Sequence, residues 1–227
     1  MNNLFNYFDK VIFLTLSDSY DRHKNIKYHI NKFNIINSYI YYSTKLPEIY
    51  LKCSNLFPTL KSEYYDNMNN KYVYANNFSV SINHLNIIKI CYELGYKNIL
   101  ICEDDITLID YKEHNNLIYN TILENIPKDY DIIKFNNDCT KQEILNVNDL
   151  KQPIFHKLSY NNNITNYGTS FYALSRNGMK KYIDYLLITN ELSEDLIFNR
   201  LLKNTNMNIY AMYKKITKQS DFESTIL

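Results

Sequence analysis

Lys10–Leu16 (KVIFLTL) is a short apolar run of β-formers, the pattern of a buried strand. Asp18–Phe33 then carries Ile26, Ile30 and Phe33 at helical spacing, and Ile35–Tyr42 returns to a strand-like run. Residues 45–76 hold Pro47, Pro58 and many Asn and Tyr without a period, which reads as a loop excursion with short helices. Ser79–Leu94 shows one helical face through Ile82, Leu85, Ile88 or Lys89, and Tyr92, and Gly95 stands where a left-handed C-cap belongs. Strand Asn98–Cys102 follows at once. Beyond it the pattern predicts helix Asn115–Asn125, strand Asp131–Phe135, a strand near Ile154–Leu158 and strand Thr169–Leu174. Helices Arg176–Leu187 and Ser193–Lys203 come next, then strand Asn208–Met212. Alternating strands and helices predict an α/β sandwich with a largely parallel central sheet in one domain spanning 1–227. Residues 45–75 read as a variable insertion and 213–227 as a polar C-terminal tail.

Composition narrows the chemistry. The chain has 227 residues and only three glycines, Gly95, Gly168 and Gly178, where average usage gives roughly sixteen. No two lie close together, which excludes glycine-loop phosphate binding, because such loops need several nearby glycines to bring backbone N–H groups onto phosphate. A divalent metal on carboxylates is the substitute to look for. Net charge is +1, so there is no overall basic field for nucleic acid. The 23 tyrosines suit either core packing or stacking on sugars and bases. Cys53, Cys91, Cys102 and Cys139 form no C-x-x-C pair, and MNNLFNYFDKVIF lacks the features of a signal peptide. No run approaches eighteen apolar residues. Reduced thiols, a cytoplasmic location, no transmembrane segment and unused sequons at Asn77 and Asn163 are expected.

The strongest local feature is Asn98–Ile106, NILICEDDI, an apolar strand running into Glu103, Asp104 and Asp105. Ligands of open α/β sheets gather outside the carboxyl ends of strands. Alternation lets Glu103 and Asp105 face one site while Asp104 points elsewhere. Two such carboxylates suit Mg²⁺ or Mn²⁺, hard cations that also take phosphate oxygens. The competing reading is a solvated acidic turn with no chemistry.

The stretch SVSINHLNIIKICYELGYKNILICEDDITL resembles the central motif of glycosyltransferase family 25, a lipooligosaccharide and procollagen sugar-transferase family in which a Ser-His helix leads through a Gly turn into a strand ending Glu-Asp-Asp. In order along the chain, VIFLTLSDSYDR resembles its amino-terminal strand-plus-Arg element and YDIIKFNND its strand after the acidic motif. YGTSFYALSRNGMKKYIDYL is similar to its Gly-Thr…Tyr…Ser-Arg-x-Gly segment, and KQSDFESTI to its tail pattern. The resemblance spans most of the chain except 45–75 and 139–160. It implies a GT-A-like (Rossmann-like) fold with a mixed, largely parallel sheet flanked by helices. It also implies Mn²⁺ or Mg²⁺, a UDP-sugar donor carrying galactose or glucose, and inverting transfer to a glycan or hydroxylated protein acceptor.

Carried onto this chain, the resemblance makes Glu103, Asp104 and Asp105 the metal and nucleotide-sugar motif, with Glu103 and Asp105 on the metal. Asp195 becomes the general base and Glu194 its runner-up, although acids at a helix start are favoured electrostatically whatever the function. Arg22, Ser17 and the backbone at Leu16 lie where a nucleotide could be held. His84 matches the Ser-His position, and Gly168 and Thr169 are candidates for a pocket wall. Asn136, Asn137 and Asp138 could bond sugar hydroxyls, and Tyr64, Tyr65, Tyr72 and Tyr74 could stack on acceptor rings or simply pack. Two departures stand out: Ser79-Val80 replaces Gly-Cys, and Asn83 replaces the Ser before His84. The alternatives are a catalytically silent nucleotide-sugar or glycan binder, and a phosphohydrolase that would release phosphate instead of UDP.

Overall fold

The apolar run at the start forms strand β1 (Lys10–Leu16), buried along all but its two end residues. In this computed structural model the described residues are 4–44, 72–136, 142–160, 168–189 and 194–219, with only the backbone described at 72–78, 194–196 and 219. After β1 come helix α1 (Tyr20–Lys32), strand β2 (Ser38–Ser43), helix α2 (Tyr72–Glu93) and strand β3 (Asn98–Glu103). Next are β4 (Ile106–Leu108), α3 (Asn115–Glu124), β5 (Ile132–Lys134) and β6 (Phe155–Lys157). The chain closes with β7 (Phe171–Ser175), α4 (Arg176–Thr189), α5 (Glu194–Asn204), β8 (Ile209–Met212) and β9 (Thr217–Gln219).

Seven strands form one mixed sheet in the order β2-β1-β3-β7-β5-β8-β6. Strands β2, β1, β3, β5 and β8 run the same way, while β7 and the edge strand β6 run against them. The expected largely parallel sheet is present. Alternation sorts the strand residues onto two faces. Ile12, Leu14, Ile99, Ile101, Tyr172 and Leu174 face α2, α4 and α5. Val11, Phe13, Leu100, Cys102, Phe171 and Ala173 face α1 and α3 on the other side. Both faces of the central strands are therefore apolar, as expected where helices cover each side.

Two glycines have definite work. Gly95 ends α2 with φ +84, a left-handed conformation that glycine adopts without strain, and no atom lies within 4 Å of where its Cβ would be. Gly178 instead permits a close approach, since a Cβ there would sit 1.9 Å from the Asp131 carbonyl oxygen.

The structure departs from the sequence reading in two places. Helix α2 already runs at Tyr72, seven residues before the expected start at Ser79. Residues 72–75 are thus helical, while the remainder of the expected 45–75 insertion lies outside the described residues. The segment after β8 is not only a polar tail: β9 pairs antiparallel with β4 and buries Ile216 and Thr217. Three residues are too few to show a period. Cys91 and Cys102 are buried free thiols. Cys53 and Cys139 lie outside the described residues.

Candidate active site

The acidic residues stand at the carboxyl end of β3, near the middle of the sheet, between β1 and the start of β7. Strand register sets Glu103 beside Leu14 and Cys102 beside Phe171. Since Cys102 faces α1 and α3, Glu103 turns to the other layer, toward α2. There His84 Nε2 lies 3.2 Å from Glu103 Oε1, and the Thr169 hydroxyl donates to the same oxygen at 2.9 Å. The backbone is tied as well: Glu103 N–H donates to the Ser170 carbonyl at 2.8 Å.

His84 is almost fully buried on α2. Its Nδ1 is 2.7 Å from the Tyr172 hydroxyl, and the two rings lie nearly parallel, 12° apart. Desolvation is the largest influence on Glu103 and acts upward. It is outweighed by hydrogen bonds and charge from His84, the Thr169 hydroxyl and the nearby Arg22 cation, which together hold its pKa below the ordinary carboxylate range.

Asp104 stands in the turn that follows β3. It forms an ion pair with Arg22 from the first turn of α1, and both side chains are more than nine-tenths buried. A solvated helix-face charge is therefore not what Arg22 is. Asn25, one turn further along α1, donates to the Ile106 carbonyl at 3.1 Å, so α1 holds both sides of the turn that carries the acids.

Asp105 is left without such partners. Its Oδ1 is buried and accepts no hydrogen bond. Desolvation first, then the charges of Glu103 and Asp104, push its pKa up to about 7 against the pull of Arg22. A carboxylate oxygen in this condition is destabilised until a cation or a donor reaches it. Two hard-oxygen ligands, one of them unsatisfied, fit Mg²⁺ or Mn²⁺. Among the described residues no group of three or more His, Cys, Asp or Glu forms a complete metal set. The remaining ligands would come from substrate or water.

The other expected residues fall as follows. Leu16 ends β1 beyond the Glu103 row, and its carbonyl is already used by Ser19 N–H at 3.2 Å and His23 Nε2 at 2.8 Å. Ser17 follows at the same sheet edge. Gly168, with φ +83, and the buried Thr169 lead into β7 beside Glu103. Asn136, at the end of β5, donates to the Ser170 hydroxyl at 2.7 Å and keeps a buried, unpartnered Oδ1. Glu194 and Asp195 open α5, with side chains outside the described set. Asn137, Asp138, Tyr64 and Tyr65 lie outside the described residues, as do the side chains of Tyr72 and Tyr74.

The departures at 79 and 83 have a structural account. Asn83 accepts from Thr44 N–H at 3.0 Å and donates to the Thr44 carbonyl at 3.1 Å, and the Ser79 hydroxyl donates to that carbonyl too. Both residues anchor the exit of β2 on α2.

Two residues on the Glu103 face escaped the sequence reading. Tyr172 is the partner of His84. Lys134 on β5 pairs in register with Tyr172, is buried, and sets its ammonium 5.0 Å from the Phe198 ring centroid. A lysine inside the apolar run of β5 was the available signal.

No family model matches the chain, and no curated protein matches it. Among solved structures, A197 from STIV is similar at 13% identity and a TM-score of 0.45, covering 95% of this chain and 86% of its own. A glycosyltransferase involved in glycosylation of the major capsid of PBCV-1 is similar at 10% identity and a TM-score of 0.48, covering 89% and 79%. Likeness at this level carries no activity across. No helix among the described residues is long and apolar enough to cross a membrane.

Proposed function

We propose that this chain is a metal-dependent, inverting glycosyltransferase of the family 25 type. It moves galactose or glucose from a UDP-sugar to a glycan or hydroxylated acceptor. The observation that carries this reading is the state of Asp105, a buried carboxylate with an unsatisfied oxygen and a raised pKa, beside an anionic Glu103 at the carboxyl edge of the sheet.

Glu103 and Asp105 would hold Mn²⁺ or Mg²⁺, which supplies neutralisation of charge on a departing diphosphate. Arg22 keeps Asp104 turned inward and contributes positive potential beside the acids. His84 and Thr169 keep Glu103 ionised and oriented. Ser17, with the backbone near Leu16, borders the same edge for the nucleotide, and Gly168 shapes the turn before β7. Asp195, or Glu194 beside it, takes the proton of the acceptor hydroxyl.

The test is thermal denaturation with UDP-glucose and UDP-galactose, with and without Mn²⁺, because a bound ligand stabilises by mass action. Stabilisation that requires both metal and UDP-sugar, and that disappears in Asp105→Ala, supports the assignment. Stabilisation that persists in that variant sinks the metal site. Metal-dependent binding with no UDP release across acceptors would mark a silent binder.

A further inference from the structure

We propose that Asn136 is a specificity-determining residue, whose Oδ1 accepts a hydrogen bond from a ring hydroxyl of the hexose being transferred. Asn136 stands just beyond the end of β5 and is more than nine-tenths buried. Its Oδ1 is buried and has no hydrogen-bond partner among the described residues. An amide has a donor end and an acceptor end. Here the donor end is occupied, because Nδ2 donates to the Ser170 hydroxyl at 2.7 Å. Oδ1 is therefore satisfied only by an incoming donor, and a buried acceptor left alone is costly. Phosphate oxygens only accept, so a diphosphate cannot fill this place; a ring rich in hydroxyls can.

The sheet holds the amide in a definite relation to the acids. Phe135 N–H donates to the Phe171 carbonyl at 3.1 Å, so the backbone entering Asn136 is still tied to β7. Ser170, just before β7, joins the two sides. Its carbonyl accepts from Glu103 N–H at 2.8 Å, and its hydroxyl accepts from Asn136. Strand β7 alone separates β3 from β5, which sets Asn136 two strand spacings, about 10 Å, from Glu103. Leu16 and Ser17 lie on the other side of Glu103, at the end of β1. A UDP-hexose runs in the order nucleoside, diphosphate, hexose. With the nucleoside at β1 and the diphosphate at the acids, the hexose extends past Ser170 toward Asn136. This placement rests on the donor reading above, whereas the open Oδ1 does not.

The test is calorimetric Kd on the full chain in Mn²⁺ for UDP, UDP-glucose and UDP-galactose. It compares wild type with Asn136→Leu, which removes the acceptor at similar volume, and with Asn136→Asp. The aspartate keeps an acceptor oxygen, and the Ser170 hydroxyl can turn to donate to its other oxygen. Asn136→Leu should weaken the UDP-hexose about tenfold while UDP binds as in wild type. Asn136→Asp should restore the wild-type ratio of the two affinities. An unchanged ratio in Asn136→Leu overturns the proposal, and so does equal weakening of UDP, which would place Oδ1 on the nucleotide.

Monodeoxy analogues of the bound donor then name the hydroxyl. The analogue lacking it should bind wild type about tenfold more weakly than the parent, yet bind Asn136→Leu no more weakly than the parent does. Additive losses for every analogue overturn the proposal. Urea midpoints show whether each variant is folded, and Asn136→Ala replaces the leucine variant if that one is not. Wild type with no affinity for UDP or either UDP-hexose sinks the donor reading and this subsite with it, an outcome distinct from an unchanged ratio.

Discussion

Replacing Gly178 by alanine adds one methyl group at the point where α4 leans on the start of β5. Its Cβ would stand 1.9 Å from the Asp131 carbonyl oxygen, 2.7 Å from the carbonyl carbon and 3.1 Å from Cα. All three are backbone atoms, so no rotamer change relieves the contact. Restoring a normal separation requires α4 to retreat by more than about 1 Å. That movement acts on one of the most heavily bonded residues in the molecule. The Asp131 carbonyl accepts from Ser175 N–H at 3.0 Å. Its carboxylate accepts from Asn177 at 2.6 Å and Lys181 at 2.7 Å, both on α4, and from Asn208 N–H at 2.8 Å. Overpacking of this kind costs about 1–3 kcal/mol. Stretching even one hydrogen bond to a buried charge adds about 1.5–3 kcal/mol. The expected loss is therefore on the order of 3–5 kcal/mol, a large part of a typical folding free energy. Gly95→Ala is the internal control. It meets no atom within 4 Å and bears only the left-handed φ of +84, which costs about 1–2 kcal/mol and is partly offset in the unfolded chain. Urea denaturation of both variants gives the comparison. If Gly178→Ala is no less stable than Gly95→Ala, the close approach of α4 to Asp131 is not a real constraint.

Further outcomes follow from the same structure. His29 is buried with neither ring nitrogen bonded, and desolvation lowers its pKa from 6.5 to about 4. Its folded state binds fewer protons than the unfolded one, so stability is full above pH 6.5 and falls as pH drops toward 4, by up to about 3 kcal/mol. Urea midpoints against pH should show this limb in wild type and lose it in His29→Phe. Arg22→Ala leaves Asp104 buried without its cation and should cost about 3–5 kcal/mol, with a double-mutant cycle against Asp104→Ala showing strong coupling. Additive effects would deny the pair its role. Asp105 has the opposite sign to His29: a pKa raised to about 7 stabilises the fold at low pH and loses that contribution as pH rises through 7. Asp105→Asn should therefore be more stable than wild type at pH 8, by on the order of 2 kcal/mol, while failing to bind Mn²⁺. A variant less stable than wild type at that pH would contradict the electrostatic picture.

Most of the strands were legible because their signals are local. KVIFLTL matches β1 residue for residue, and NILIC reads as a strand because four apolar β-formers in a row need both faces covered. The acidic end of β3 was visible for the same reason, since three carboxylates after an apolar run stand out in any register. Strand β3 ends at Glu103 and a turn follows, so alternation does not carry through Asp104 and Asp105. The partners of these groups were not legible. Arg22 and Asp104 are 82 residues apart, and His84 and Tyr172 are 88. No periodicity connects residues at that separation.

By itself the sequence determined where most strands and helices form, that glycine loops cannot hold a phosphate here, and that the carboxylates cluster at one strand end. Those are properties of neighbours along the chain, set by side-chain period and residue type. The tertiary structure alone decided what each carboxylate became. Strand β7 inserts antiparallel beside β3 and brings Thr169 and Tyr172 to the acidic motif, α2 lays His84 across it, and α1 delivers Arg22. Glu103 is thereby held anionic, Asp104 is paired with Arg22, and Asp105 is left with an unsatisfied oxygen. Three adjacent acids of the same chemistry acquire different states because desolvation and nearby charge depend on distance through space, and only the packed sheet fixes that distance.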